Sequence, residues 1–309
     1  MTRTPAEAAT FPNHKSVPIV TQDARFRAGK KLKQRGRAHL GASNIFETLV
    51  DRAEEEFGPT SIETAAVYYE LGHSLFLEIS RNPTSQNSDK IIEDALEYMA
   101  KSCSILYNHH VGANNETKNE EESSSEAIIE DSHYQDWAKD QIPRVLLGIG
   151  NLQSYQRKHA DAIDSYLNSV PFREEASNQF KKEKTESTAS LRSHRLLAES
   201  YVLISEELLL SPPPSHDLVH GETGLTIVKA EEVTNLAKSY YEQGKEKLQD
   251  IVYMMASLEE KGSSEILEAE KQDVCHLATM LVEVGMSLAQ RSEEDSNGNE
   301  SAMKKKRIV

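Results

Sequence analysis

Two runs of charge are where residue types and spacing in this chain most directly imply chemistry. Residues 119–131 read NEEESSSEAIIED, and Glu120, Glu121, Glu122, Glu126, Glu130 and Asp131 offer a dense counter-surface to a basic partner. Residues 301–309 read SAMKKKRIV, where Lys304, Lys305, Lys306 and Arg307 form a basic cluster of the nuclear-import type. A third stretch, ARFRAGKKLKQRGR, carries Arg25, Arg27, Lys30, Lys31, Lys33, Arg35 and Arg37 with no acid among them. It is either a solvated face or a dock for an acidic segment, the chain's own run included.

Catalytic chemistry finds no foothold. GIGNLQ at Gly148–Gln153 lies inside a helical pattern and follows no strand, so it is not a dinucleotide loop. His109 and His110 are adjacent, and neighbours on a helix point about 100° apart, so they do not chelate as an i, i+4 pair would. Cys103 and Cys275 stand in no CxxC pair and read as reduced thiols. GxSxG and P-loop motifs are both missing. The reading is a binding protein rather than an enzyme, with no cofactor and no metal called for.

The whole chain bounds the partner. Its 309 residues carry 50 acidic against 35 basic side chains, a formal net charge of -15. Phosphate backbones need a basic surface, so direct nucleic-acid binding is not expected. The N-terminal stretch has no apolar signal-like region, and no stretch approaches the roughly 20 apolar residues of a membrane span. Aromatics are 6%, too few for a large aromatic β core.

The charge runs punctuate a chain that is helical in pattern from about Ala24 to Gln290, and the helical segments come in pairs. In the third pair Gly150 is followed by Ala162, Tyr166 and Ser169. A small residue on the first helix lets the second approach, and the bulky residue fills the space beside it. The second pair repeats this with Gly72, then Ala95, Met99 and Ser102; the fourth does so with Ser205, then Ala237, Tyr241 and Gly244. The first keeps Gly36 but offers Thr48 and Arg52, so it reads as degenerate. This is the tetratricopeptide (TPR) pattern of about 34 residues per helical hairpin. The expected fold is all-α, a TPR-like helical-hairpin superhelix of about four repeats with a C-terminal capping helix and an acidic insertion. The expected layout is a disordered arm at 1–22, repeats 1–2 at 23–110 and an acidic disordered loop at 111–134. Repeats 3–4 follow at 135–260, the capping helix at 261–290 and a disordered tail at 291–309.

GKKLKQRGRAHL in the first pair, AAVYYELGHSLFLEI in the second and RLLAESY opening the fourth resemble the corresponding segments of the NASP family of histone chaperones, whose repeats are called SHNi-TPR. The resemblance covers about residues 24–260. It implies binding of histones H3 and H4, some fungal members serving a centromeric H3 variant, and a role in nucleosome assembly. It implies residence in the nucleus, with shuttling through the cytoplasm left open. Importin, other chaperones and a homodimer stay open as further partners; a membrane does not. In the family the acidic segment interrupts the second repeat, whereas here it follows the second helix of that repeat.

On a TPR superhelix the groove-facing positions lie three before, one after and five after the small residue. That selects Tyr69, His73 and Leu77 in the second pair, and Leu147, Asn151 and Tyr155 in the third. In the fourth it selects Val202, Glu206 and Leu210, with Glu199 one turn earlier. The family's RLLAESY-like helix helps to hold H3, which favours Glu199 and Val202. The alternative is a TPR adaptor or co-chaperone scaffold gripping an acidic peptide through a carboxylate clamp. Lys33 and Arg37 could serve in that clamp, but Glu70 and Gly148 stand where Asn and Arg are wanted.

The basic cluster yields a direct test. A fluorescent fusion lacking residues 302–309 is expected to shift from nucleus to cytoplasm in live cells. An unchanged distribution would assign import to another signal or to a bound cargo.

Overall fold

The computed structural model describes residues 17–34, 39–81, 88–116, 125–183, 187–210, 218–219, 226–227, 230–260 and 264–306. Among them are nine α-helices packed against one another, so the fold class is all-α. They are α1 (Ala24–Gln34), α2 (His39–Phe57), α3 (Ile62–Arg81), α4 (Ser88–Glu116) and α5 (Ser125–Tyr155), then α6 (His159–Glu183), α7 (Thr188–Leu210), α8 (Ala230–Glu260) and α9 (Ser264–Lys306). A 3-10 turn, Ile19–Gln22, precedes α1, and Leu218–Val219 pairs antiparallel with Thr226–Ile227 between α7 and α8. The chain divides into two compact units, 1–142 and 143–309, parted inside α5.

Local chemistry sets several helix ends. Asp23 Oδ1 accepts the N–H of Arg25 at 2.6 Å and opens α1. Ser61 Oγ accepts the N–H of Thr64 at 3.1 Å and opens α3; Ser187 Oγ does the same for Ser190 at 3.2 Å and opens α7. Gly58, at φ +88°, closes α2 in the left-handed conformation that glycine tolerates best.

Close approach at small residues organises unit 1. A Cβ at Gly72 would lie 2.7 Å from Met99 Cγ and 2.9 Å from the Ala95 carbonyl oxygen, so α3 and α4 touch through the backbone there. Ser102 Oγ, buried on α4, donates to the Ala65 carbonyl of α3 at 2.8 Å. The first pair obeys the same rule in a different register. A Cβ at Gly29 would lie 2.6 Å from Phe46 Cζ, and Ala42 and Phe46 are fully buried. Gly29, Ala42 and Phe46 therefore stand where Gly36, Thr48 and Arg52 were expected. Thr48 and Arg52 are exposed, and Gly36 lies outside the described residues. Helix α2 starts at His39 and takes Ala42 with it.

In unit 2 a Cβ at Gly150 would lie 2.6 Å from Tyr166 Cδ1, and one at Gly244 would lie 2.9 Å from Val202 Cγ2. Ser205 Oγ donates to the Ala237 carbonyl at 2.7 Å, tying α7 to α8. Helix α9 lays Val274, Leu277, Leu281, Val284 and Leu288 into the same core as Leu191, Ile204 and Leu208 of α7 and Ile251 of α8. Burial of each such side chain is worth about 1.5–3 kcal/mol.

Several expected boundaries move. Val20 is buried, and the backbone N–H groups of Ile19 and Val20 donate to Glu63 Oε1 and Oε2, each at 2.8 Å, so ordered structure begins inside the arm expected at 1–22. The span expected as loop at 111–134 is partly helical: α4 runs to Glu116 and α5 starts at Ser125. Glu126, Glu130 and Asp131 are thus in α5, while Glu120, Glu121 and Glu122 lie outside the described residues. Helix α9 continues beyond Gln290 to Lys306, so Lys304, Lys305 and Lys306 are helical; Arg307 lies outside the described residues. Nothing in 291–306 breaks a helix apart from one Gly, which costs only about 1 kcal/mol.

Gly72 offers the sharpest test of the packing. Alanine would gain about 1 kcal/mol of helix propensity, but its methyl meets a backbone carbonyl that cannot step aside. Overpacking of this kind costs about 1–3 kcal/mol. Gly72→Ala should therefore be net destabilising, and Gly72→Val more so, in urea denaturation followed by circular dichroism.

Candidate functional site

The acidic face of unit 2 is assembled from four helices. Tyr166 of α6 is buried, and its hydroxyl donates to Asn151 Oδ1 of α5 at 2.7 Å. Burial raises the Tyr166 hydroxyl above its ordinary pKa, and the nearby carboxylates of Glu207, Glu206 and Glu199 on α7 push it further. Asn151 and Glu206, selected separately by repeat spacing, and Glu199, added one turn before Val202, thus lie about the same Tyr166 hydroxyl.

Those three carboxylates are compensated unequally. Glu207 is buried and meets His159 Nδ1 at 2.7 Å. Glu199 meets Arg195 only at 3.8 Å, because that guanidinium is committed elsewhere: it reaches Glu270 Oε2 at 3.1 Å and Asp273 Oδ2 at 3.0 Å on α9. Glu206 is half-buried and has no cationic partner among the described residues. Burial pushes its carboxyl pKa up, and Glu207 and Glu283 add to the shift. Leu210, one turn after Glu206 on α7, is 53% exposed, and Tyr155, one turn after Asn151 on α5, is 39% exposed. The arrangement can accept a cation next to an apolar contact.

Two predicted residues belong to the interior instead. Val202 is fully buried against Gly244, so it does not face a groove. Leu147 is partly buried and packs on the unit 2 core. The spacing rule missed Glu207, His159 and Glu283. Glu283 comes from a helix that no repeat position addresses, and Glu207 sits next to the selected Glu206 but turns inward.

Tyr69, His73 and Leu77 lie in unit 1, on α3. Tyr69 stacks on His73 with ring centroids 5.7 Å apart and planes inclined by 20°. Lys33 of α1, with 9% of its side chain exposed, donates to Glu70 and approaches His73 Nδ1 to 2.9 Å. Burial lowers the Lys33 pKa. Burial alone would raise that of Glu70, but Lys33 and Lys30 outweigh it and hold the carboxyl below its ordinary value. His73 is mostly buried and depressed to about 4, chiefly by burial and then by Lys33, so near neutral pH it is an uncharged acceptor for the Lys33 ammonium. Lys33 is therefore engaged within the fold rather than presented to a carboxylate clamp. Leu77 is partly buried on the same helix.

No protein-family model matches the chain, and no curated protein matches it either. Among the described residues no helix is long and apolar enough to cross a membrane, and no group of three His, Cys, Asp or Glu side chains is gathered for a metal ion.

The Lys33–Glu70–His73 cluster has a pH signature with a definite sign. A histidine depressed from 6.5 to about 4 contributes most stability above pH 6.5 and loses it as pH falls toward 4. A carboxyl held below 4.5 contributes above that value and loses its contribution below it. Stability should drop on acidification from pH 7 to 4.5, with His73 accounting for about 2–3 kcal/mol. Denaturant titrations across that range should show a shallower slope for His73→Phe; equal slopes would remove His73 from the account.

Proposed function

We propose that the protein is a histone chaperone that binds histones H3 and H4 through the acidic face of unit 2 and keeps their basic surfaces neutralised during nucleosome assembly. Glu206 is the observation that carries the proposal: a half-buried carboxyl group without a cationic partner among the described residues, its pKa raised by burial and by the neighbouring Glu207 and Glu283. A fold optimised for stability alone would place Gln or Leu there. A partner's Lys or Arg would supply the missing charge, while exposed Tyr155 and Leu210 would meet its apolar flank. The net charge of -15 favours such a partner over nucleic acid.

Three further points support the reading: the NASP-like segments, the basic cluster at Lys304–Arg307 and the acidic run at 119–131. The TPR-like interpretation of the helix pairs belongs to the same proposal and draws on the recurring contacts at Gly29, Gly72, Gly150 and Gly244. Within it, a centromeric H3 variant is an alternative cargo, and residence is nuclear. The adaptor alternative draws no support from Lys33, which is engaged by Glu70.

Glu206→Gln separates function from stability. A carboxyl whose pKa rises on folding is destabilising once ionised, so removing its charge should raise the denaturation midpoint at pH 7. The same change removes a cation acceptor, so affinity for the H3–H4 pair should fall by about three- to tenfold, or roughly 0.7–1.4 kcal/mol. Isothermal titration with refolded H3–H4 at moderate salt measures this. A stabilised variant with undiminished affinity would sink the proposed site.

A further inference from the structure

Unit 1 holds a cavity of about 250 Å³ between the 3-10 turn and α2, lined by Ile19, Val20, Leu49, Ala53 and Phe57 beneath a lip of Asp23, Arg52 and Glu56. Its floor is apolar: Val20, Leu49 and Ala53 are buried. Ile19 stands on its edge 62% exposed, and neighbouring Val17 is 45% exposed. The turn that forms one wall is pinned in place, since both oxygens of buried Glu63 accept backbone N–H groups of that turn at 2.8 Å. Arg52 is bound on both sides, by Asp23 and Glu56, each at 3.2 Å. The lip is therefore already ordered, with one cation between two anions and a net negative charge.

We propose that this cavity is a docking site for a polypeptide segment of another protein that inserts one bulky apolar side chain and places a Lys or Arg beside it. The volume is below the roughly 300–1,000 Å³ of small-molecule sites, and suits a single anchor side chain. Peptide recognition commonly works this way, with one buried anchor and a polar rim that sets orientation. Charge complementarity selects the flanking residue. The two lip carboxylates share one guanidinium, and Glu56 is 48% exposed. An acidic flank would be repelled by this lip, where two carboxylates face one Arg. This site stands on unit 1 alone and does not depend on the acidic face of unit 2.

The probes are four fluorescein-labelled heptapeptides. Two carry a central Leu or Phe between Lys-Arg pairs, one carries Ala there, and one keeps Leu between Glu pairs. Fluorescence anisotropy with the full chain should show saturable binding of the Leu or Phe peptide and at least about tenfold weaker binding of the Ala and Glu-flanked peptides. Ile19→Asp and Glu56→Lys both alter exposed positions and should lower the denaturation midpoint only slightly, leaving the chain folded at 25 °C by circular dichroism, yet each should weaken the preferred peptide by about tenfold. Glu206→Gln should not affect it. Amide shifts at Val20, Leu49 and Ala53 on titration would place the peptide in the cavity. The assignment is overturned if the Ala peptide binds equally, if the Glu-flanked peptide binds best, or if both lip variants bind normally. It is also overturned if the chain self-associates in sedimentation and Ile19→Asp abolishes that, which would make a second copy the occupant.

Discussion

Close approach of neighbouring helices at small residues is the constraint on which the rest of this protein depends. At Gly29, Gly72, Gly150 and Gly244 there is no room for a Cβ beside the facing Phe46, Met99, Tyr166 and Val202. Small residues therefore set how near the helices come, and the bulky partner fills the gap that approach creates. Buried serines complete the same contacts: Ser102 and Ser205 each give a hydroxyl hydrogen to a carbonyl of the neighbouring helix, which satisfies both groups away from water. Once spacing is set this way, the positions of Asn151, Glu206 and Tyr155 follow from the rotation of their helices.

Charge is then distributed according to what each position can offset. Cations that could have neutralised the acidic face of unit 2 are engaged elsewhere. Arg192 and Arg195 hold the buried Glu270 and with it α9, and His159 is taken by Glu207. The attachment of α9 thus leaves Glu199 weakly paired, and α9 adds Glu283 to the field that acts on Glu206. A single docking event both completes the core and concentrates negative potential on one face. In unit 1 the logic is reversed. Lys33 and Glu70 neutralise one another away from water, with neutral His73 accepting a second hydrogen bond from the ammonium. Such a pair favours one register of α1 on α3 over others more than it adds net stability.

What the sequence by itself determined was helix content and the small–bulky contact in the second and third pairs. These are local: they depend on periodicity and on residues within one hairpin, and the contacts of Gly72 with Met99 and of Gly150 with Tyr166 follow that spacing, whereas Tyr241 of the fourth pair packs on Gly285 of α9 instead. Tertiary structure decided what depends on distant partners. The first pair's true contact at Gly29 was hidden because the start of α2 at His39 carries no strong capping signal. Val202 looked groove-facing by spacing but is interior, because Gly244 of α8 leaves room for its side chain between the helices. Glu63 reads as an ordinary first-turn acid until the 3-10 turn, more than 40 residues away, comes to lie against it. Glu270 and Arg195 are separated by 75 positions, and only folding brings a carboxylate and a guanidinium that far apart in the chain into contact. Charge complementarity acts through space and leaves no periodic trace along the chain, whereas steric complementarity within a hairpin does.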